Sequence, residues 1–257
     1  MTLHYVYGIV PARSAPAVEA ARLEGLGGAP VRAIADGGVA AATSDVAESE
    51  FGADALNDRI RDLDWLTPRA STHQRVNARL LEIADTVIPL SFGTLYRDDE
   101  RVREMLRADA DGRVARLASL AGRAEWVVTV TRDIDEVPGA GEDLGALDRE
   151  IASSTPGRAF LLEKRRTKVA EAAGARSDGE VSRRVFEELA GVAERTYREP
   201  VADAGRDVIV LRLSLLARRD DDRVDALIDR LRGELDASGY RLRATGPWPA
   251  YRFGSLE

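Results

Sequence analysis

One histidine and two serines of this chain are candidates for nucleophilic chemistry. The 257 residues include two histidines, His4 and His73, and no cysteine, which excludes disulfides and thiolate ligands. His73 could activate a nucleophilic hydroxyl, with Ser71 and Ser91 as candidates. It lies, however, beside apolar residues spaced as on one helix face, which favours a buried, hydrogen-bonded structural histidine. No Gly-x-Ser-x-Gly motif is present.

Carboxylates cluster at two places, where they could either ligate a metal or begin a helix. Residues 98–100 are Asp-Asp-Glu and residues 220–222 are Asp-Asp-Asp. Each cluster precedes a helical pattern, where capping and the helix dipole favour acidic side chains. The two histidines lack the close spacing of a zinc site. The sequence therefore predicts capping residues, with no catalytic residues and no metal site.

Two further segments have the composition of ligand-binding sequences. Residues 25–28, Gly-Leu-Gly-Gly, precede a predicted strand, whereas a phosphate-binding loop precedes a helix, so a turn is predicted. Residues 163–168, Glu-Lys-Arg-Arg-Thr-Lys, are densely basic. They fit a solvated helix face paired with residues such as Glu171, and contact with an acidic partner is the alternative. No cofactor site is predicted.

The composition is that of a globular protein with excess negative charge. Hydrophobic residues make up 44% and charged residues 32%, and the net charge is −7. Such a balance does not suit broad binding to nucleic acid or to anionic membranes. No apolar run reaches the length of about 20 residues that spans a membrane, and the N-terminus lacks the basic region of a signal peptide. A cytoplasmic protein without nucleic-acid or membrane partners is expected.

Strand and helix patterns alternate along the first half of the chain. Residues 3–10 are apolar on both faces, which predicts a central strand, and residues 36–38, Asp-Gly-Gly, predict a hairpin. A short helix is predicted within 14–25, and a second helix is capped by Asp54, with an apolar stripe of Leu56, Ile60, Leu63 and Leu66. At Thr67-Pro68 either a further helix or a kink begins, and residues 86–96 form a short strand and a packed loop. The last predicted helix of this half begins at Asp98 or Asp99 and ends at Gly122, with Gly112 as a candidate interruption.

The second half repeats this mixture. The predicted elements are a strand over 125–131, a connector over 133–157 with one helical turn near 144–151, helices over about 158–174 and 179–198, a strand over 208–217, a helix capped by Asp221 or Asp222, and a strand over 240–244. We predict an α+β fold of two small domains with split-βαβ, ferredoxin-like character. The domains are residues 1–122 and residues 123–257, the latter with a helical region at 158–199 and a stiff tail at 246–257.

The tail concentrates three of the few aromatic residues, Trp248, Tyr251 and Phe253, in a stretch that also contains Pro247 and Pro249. Prolines favour extended backbone, so a non-helical strip is predicted. Its rings, like Trp126, could anchor a partner or pack into the core of the chain itself, and the position after a strand favours the core. We therefore expect deletion of residues 246–257 to destabilise the fold before it affects any interface.

Several segments, taken together and in this order, resemble the F/L family of gas vesicle accessory proteins. They are Tyr-Val-Tyr-Gly-Ile-Val at 5–10, the hairpin at 35–41, Leu-Asp-Trp-Leu at 63–66, His73, Val-Ile-Pro-Leu-Ser-Phe-Gly-Thr at 87–94, and Thr-Gly-Pro-Trp-Pro-Ala-Tyr-Arg-Phe at 245–253. Two positions depart from the family pattern. Ser91 stands where a basic residue is usual, and Thr67-Pro68 lies where the family continues a helix.

The resemblance implies a non-enzymatic protein without a cofactor. Members of this family act in building gas vesicles, whose major shell protein is small and very hydrophobic. The resemblance implies binding to that protein, and to other accessory proteins, during nucleation or growth, in the cytoplasm and in association with gas vesicles. It assigns no partner-binding residues. A protein that holds such a subunit needs an apolar groove or a free sheet edge.

Two other functions stay open from the sequence. One is a minor structural component of the gas vesicle shell. The other is an enzyme acting on a small acidic ligand through arginine-rich loops, which the abundance of arginine suggests.

Overall fold

The computed structural model describes residues 1–134, 141–201 and 207–254, with only the backbone described at 141–143. These residues form two compact units. The first comprises Met1–Glu125, Arg218–Asp220 and the C-terminal residues from Pro247, and the second comprises Trp126–Ala217 and Asp221–Gly246. The division into domains at residue 122 stays a prediction.

The first unit is a mixed sheet-and-helix structure. Its elements are β1 (Thr2–Pro11), α1 (Ala15–Ala20), β2 (Arg32–Asp36), β3 (Val39–Ala47), α2 (Glu48–Phe51), α3 (Ala53–Arg59), α4 (Leu63–Ala84), β4 (Ile88–Pro89), β5 (Leu95–Tyr96), α5 (Asp99–Arg107) and α6 (Ala110–Leu120). The strand order is β2-β3-β1-β4, and β5 also pairs with β1. Strand β1 is therefore central, as its two apolar faces predict.

The hairpin between β2 and β3 confirms the prediction made from its glycines. Gly37 and Gly38 have φ values of 57° and 85°, the left-handed conformations that a two-residue hairpin turn requires. The strands pair from Arg32 opposite Thr43 to Asp36 opposite Val39. This turn fixes the register of the outer half of the sheet.

Gly8 allows a close approach at the centre of the first unit. A Cβ atom at this position would lie 2.5 Å from the Asn77 Oδ1 and 3.0 Å from the Ile88 carbonyl oxygen. Any larger residue would push α4 and β4 away from β1. The pairing of β1 with β3 is also irregular here, between Val6 and Gly8.

The helix predicted from Asp54 to Leu66 is wrong in its boundaries. Helix α3 ends at Arg59, and α4 begins at Leu63, where the Asp62 side chain accepts hydrogen bonds from two backbone N–H groups. No new helix begins at Pro68, which lies inside α4. The amide that Pro68 lacks would bond the carbonyl of Asp64 in the exposed first turn, where water can replace it.

The short elements after α4 follow the predictions except at one glycine. Strand β4 is two residues long and ends at Pro89, as expected of a strand that contains proline. The Asp98 side chain accepts from the Arg101 N–H and caps α5. The predicted interruption at Gly112 is wrong, since that residue lies within α6 and the break falls at Ala108 and Asp109.

The second unit repeats the strand order of the first. Its elements are β6 (Arg123–Asp133), which begins in the first unit, α7 (Gly141–Ala152), α8 (Pro156–Ala190), β7 (Arg195–Arg198), β8 (Asp207–Arg218), α9 (Arg223–Asp236) and β9 (Arg241–Trp248). The order β7-β8-β6-β9 corresponds to β2-β3-β1-β4. In both sheets the first strand lies between the third and the fourth, which is the arrangement of a split βαβ motif. The α+β prediction is confirmed.

Helix α8 is one continuous helix of 35 residues, about 52 Å long. The break predicted at 174–179 is wrong, because the helix is continuous there. The prediction that the second helix reaches residue 198 is also wrong, because Thr196 lies in β7. Ser177 and Asp178, at the predicted break, accept hydrogen bonds from Tyr240, and Asp178 also pairs with Arg132. These contacts offset the helix-breaking tendency of nearby glycines, about 1 kcal/mol each.

Helix α7 extends over 12 residues, where the sequence predicted a single helical turn. It packs along α8 to form a helical hairpin. Arg166 of α8 pairs with Asp148 of α7, and Arg158 pairs with Glu150. Part of the predicted connector, residues 135–140, lies outside the described residues.

The C-terminal tail packs into the first unit. After β9, residues Tyr251–Gly254 form one helical turn, α10, so the prediction of a wholly non-helical tail is wrong. The expected core packing is confirmed for Phe253, which is only 4% exposed. The Arg252 N–H donates to the Glu125 Oε2 at 2.7 Å, and Arg116 donates to the Phe253 carbonyl at 3.1 Å.

We expect Phe253→Ala to lower the free energy of unfolding by about 3–5 kcal/mol, because it removes a buried ring and leaves a cavity. Deleting residues 246–257 should cost at least as much. Phe160→Ala is the matched control, since Phe160 is 55% exposed. Urea denaturation followed by circular dichroism measures both. Equal effects of the two substitutions would show that the tail does not hold the fold.

Candidate functional site

His73 belongs to a buried polar cluster between β1 and α4. The Tyr5 hydroxyl lies 2.9 Å from the His73 Nδ1, and the Asn77 Nδ2 lies 3.1 Å from the His73 Nε2. Asn77, one turn after His73, also donates to the Tyr7 carbonyl at 3.0 Å. Each ring nitrogen of His73 therefore has a buried polar neighbour, one from β1 and one from α4.

Aromatic rings surround this histidine. Tyr5, Tyr7 and Phe92 have ring centroids 5.7–6.0 Å from that of His73. Burial lowers the pKa of His73 to about 4, so the imidazole is neutral near pH 7. Burial also raises the pKa values of Tyr5 and Tyr7. The cluster is a hydrogen-bonded part of the core.

The candidate nucleophiles do not join this cluster. The Ser71 hydroxyl donates to the Thr67 carbonyl at 2.8 Å, and Ser91 is exposed. No hydrogen bond links either serine to His73 in the part of the chain that the structure describes. The prediction that His73 is buried and hydrogen-bonded is confirmed.

The acidic clusters serve as caps and ion-pair partners. Asp99 pairs with Arg32 at 2.6 Å, and this hydrogen bond lowers the pKa of the Asp99 carboxyl. Asp221 accepts the Arg223 backbone N–H at the start of α9. Among the described side chains, in residues 1–134, 144–201 and 207–254, no three histidine or acidic groups lie together as a metal site would require.

The glycine-rich segment at 25–28 forms the predicted turn. Residues Leu26–Gly28 make one turn of 3-10 helix, and the Leu26 N–H donates to the Tyr7 hydroxyl at 2.7 Å. The segment is tied to the core through that hydroxyl, which also bonds Ser44 at 2.7 Å. It offers no cradle of the kind that precedes a helix.

The helical hairpin exposes an apolar pair, Phe160 and Leu161. They are 55% and 66% exposed, whereas the next residue, Leu162, is buried. Three successive apolar residues cannot all face one neighbour on a helix, because positions one apart point about 100° away from each other. The apolar pair therefore stays exposed. It was not predicted from the sequence, although the run Phe-Leu-Leu was a usable signal.

Basic side chains border the apolar pair. The Lys164 Nζ lies 4.7 Å from the centroid of the Phe160 ring, a cation–π contact, and Arg165 is exposed. The basic run is thus a solvated helix face, as predicted, with Asp148 rather than Glu171 as the observed acidic partner. An apolar centre with a charged border is typical of an interaction surface.

None of the helices within the described ranges is long and apolar enough to cross a bilayer.

Comparison with known sequences shows one consistent relationship. Residues 3–255 match the profile of the family described as "Gas vesicle synthesis protein GvpL/GvpF". The chain is 31% identical to "Gas vesicle protein L" of a Streptomyces species, covering 99% of this chain and 93% of that protein. It is 29% identical to "Gas vesicle protein L2" of Halobacterium salinarum, covering 97% and 90%.

Comparison with solved structures shows the same fold. The crystal structure of the gas vesicle protein GvpF from Anabaena superposes with a TM-score of 0.72 and 17% identity, covering 100% of this chain and 98% of that one. GvpF from Microcystis aeruginosa gives a TM-score of 0.69 at 16% identity, covering 99% of each chain. Both comparisons extend over the two units.

The lowered pKa of His73 makes stability depend on pH in a defined direction. Above about pH 6.5 the histidine is neutral in the folded and the unfolded chain. As the pH falls from about 6.5 to about 4, the unfolded chain binds a proton that the folded chain excludes, so stability is lost. We expect protonation of His73 in the unfolded chain to lower the free energy of unfolding by about 2 kcal/mol between about pH 7 and pH 5.

Urea denaturation at the two pH values, with His73→Gln beside the wild type, measures this loss. The substitution should reduce the difference between the two pH values, whatever its effect at either one. His4→Gln removes the other histidine and should leave the contribution of His73 in place. An unchanged pH dependence in His73→Gln would contradict the assignment.

Proposed function

Because the chain belongs to the GvpL/GvpF family of gas vesicle proteins, we propose that it is an assembly factor that binds the small hydrophobic shell protein during gas vesicle nucleation or growth. The support is the family match along nearly the whole chain, together with the shared fold. In this proposal the protein acts in the cytoplasm at growing vesicles, and other accessory proteins are further partners.

The observation that carries the binding proposal is the apolar pair on the helical hairpin. A shell protein with a large apolar surface aggregates unless that surface is covered. Phe160 and Leu161 are more than half exposed and adjacent, on a helix fixed by ion pairs to α7. A rigid helix loses little conformational entropy when an apolar partner packs against it.

The size of the effect can be bounded from area. Covering the exposed parts of one phenylalanine and one leucine stabilises a complex by about 2–3 kcal/mol, since complete burial of each contributes about 1.5–3 kcal/mol. Such a contribution changes affinity about 30-fold to 150-fold. It is large enough to detect and too small to account for the whole affinity.

The proposal includes no catalysis. The residues with nucleophilic potential, Ser71 and Ser91, lie apart from His73 in the hydrogen-bond network of the described structure. The neutral His73 is committed to Tyr5 and Asn77. A binding role uses the exposed surface and leaves this core undisturbed.

Co-expression with the shell protein, followed by affinity capture of this chain, tests the proposal. We expect the wild type to retain the shell protein and Phe160→Ser with Leu161→Ser to retain about 30-fold less, because the apolar surface is lost. The matched control is Ile60→Ser with Leu63→Ser, which removes two apolar side chains of the first unit that are 42% and 70% exposed. Circular dichroism should show every variant folded.

One outcome of this experiment concerns the location of the binding surface, and two concern the role of the protein. Loss of retention in the control pair, but not in the hairpin pair, would move the binding surface to the first unit. No retention by the wild type at micromolar concentration, with normal vesicles in a deletion strain, would overturn the assembly role. A stoichiometric, wash-resistant presence in purified vesicles would instead support a structural component of the shell.

A further inference from the structure

The second unit carries a groove of about 640 Å³ along β9. Its lining includes Val127 and Thr129 of β6, Arg212 of β8, and Arg241 and Arg243 of β9. We call it the arginine groove. All of its lining residues belong to the second unit.

The groove lies on the face of the sheet that is opposite to α8. On β6, the side chains of Trp126, Val128 and Val130 are buried, and Arg132, in phase with them, pairs with Asp178 of α8. Side chains alternate along a strand, so Val127 and Thr129 point to the opposite face. They are partly exposed there.

Among the residues that the structure describes, β9 is the last strand of its sheet. Its one neighbour there, in the order β7-β8-β6-β9, is β6. The outer side of β9 therefore presents backbone N–H and carbonyl groups to which a further strand could pair. Arg241 and Arg243 are exposed, while Leu242 between them is buried, so the two guanidinium groups point to one face.

The charges of the groove are less balanced than those of the nearby helix. Arg230 on α9 pairs with Glu188 and Glu234. For Arg212, Arg241 and Arg243, no ion pair is found among the residues that the structure describes. Asp207 and Asp236 also line the groove, and so does Arg232, which pairs with Asp229. The groove thus has a positive excess in a chain whose net charge is −7.

We propose that the arginine groove binds an extended acidic segment of another protein, which adds to the sheet as a strand beside β9. Arginines two residues apart on a strand repeat at about 6.8 Å, the spacing at which an added strand presents alternate side chains. Glutamate or aspartate at alternate positions would then face Arg241 and Arg243 as cross-strand pairs. Backbone pairing supplies affinity, and the charges select the partner.

A peptide fits these observations better than a nucleic acid does. An edge strand recognises another backbone through N–H and carbonyl groups, which a phosphodiester chain lacks. The acidic charge of the whole protein also opposes a polyanion that extends beyond the groove. A short acidic segment would contact only the groove, where positive charge is in excess.

The test uses a fluorescent ten-residue peptide in which glutamate alternates with threonine and valine. Fluorescence polarisation at about 0.15 M salt should detect binding to the intact chain. The variant Arg212→Glu, Arg241→Glu, Arg243→Glu should bind this peptide about tenfold or more weakly, and should bind a matching lysine peptide better than the wild type does. Circular dichroism should confirm that the variant is folded.

A matched control distinguishes the loss of the groove arginines from the change in the net charge of the protein. Arg13→Glu, Arg61→Glu, Arg97→Glu changes the net charge equally, at three exposed arginines outside the groove. It should leave peptide binding within about twofold, since exposed distant charges are screened. A loss equal to that of the groove variant would overturn the proposal.

Backbone pairing has its own test. Peptides N-methylated at every second residue lose the hydrogen-bond donors of one edge, so one of the two methylation patterns should abolish binding and the other should not. Equal binding of both patterns would overturn strand addition. Tighter binding of a single-stranded oligonucleotide to the same arginines would overturn the choice of partner.

Discussion

The contact between β1 and α4 is the interaction on which the first unit depends. Strand β1 lies at the centre of the sheet, and the Asn77 amide donates to its Tyr7 carbonyl at 3.0 Å. The approach is open because residue 8 is glycine, whose absent Cβ leaves room for the Asn77 oxygen and the Ile88 carbonyl. A buried amide that satisfies a strand carbonyl removes a large desolvation cost. Helix, central strand and β4 are thereby fixed together.

The tail is coupled to the same contact. The Tyr251 hydroxyl and the Asn77 Oδ1 are both buried. Among the described residues, neither atom has a partner at the distance and angle of a hydrogen bond. They are nevertheless close enough for Asn77 to influence the pKa of Tyr251, which burial raises to about 12. A small rotation of either side chain would pair two groups that are costly to leave unpaired. Core packing in the first unit thus extends from β1, through α4, to the end of the chain.

Strands and turns were predicted well from the sequence, and helix boundaries were not. The two apolar faces of β1 and the positive φ values of Gly37 and Gly38 follow from local sequence, which a short segment already contains. Helix α8 crosses its predicted break because Arg132 and Tyr240, distant in sequence, bond to it. The apolar pair and the arginine groove share this limitation, since exposure depends on which neighbours cover each residue.

The chain order of the two units has a consequence for synthesis. The second unit is inserted between residues that complete the first, because Arg218–Asp220 and the residues from Pro247 onwards belong with Met1–Glu125. A ribosome therefore releases the strands of the first unit long before it releases Phe253, whose ring is part of that core. The nascent first unit stays incomplete until translation reaches α10. A folding chaperone acting on the nascent protein would meet a first unit that still awaits its last segment.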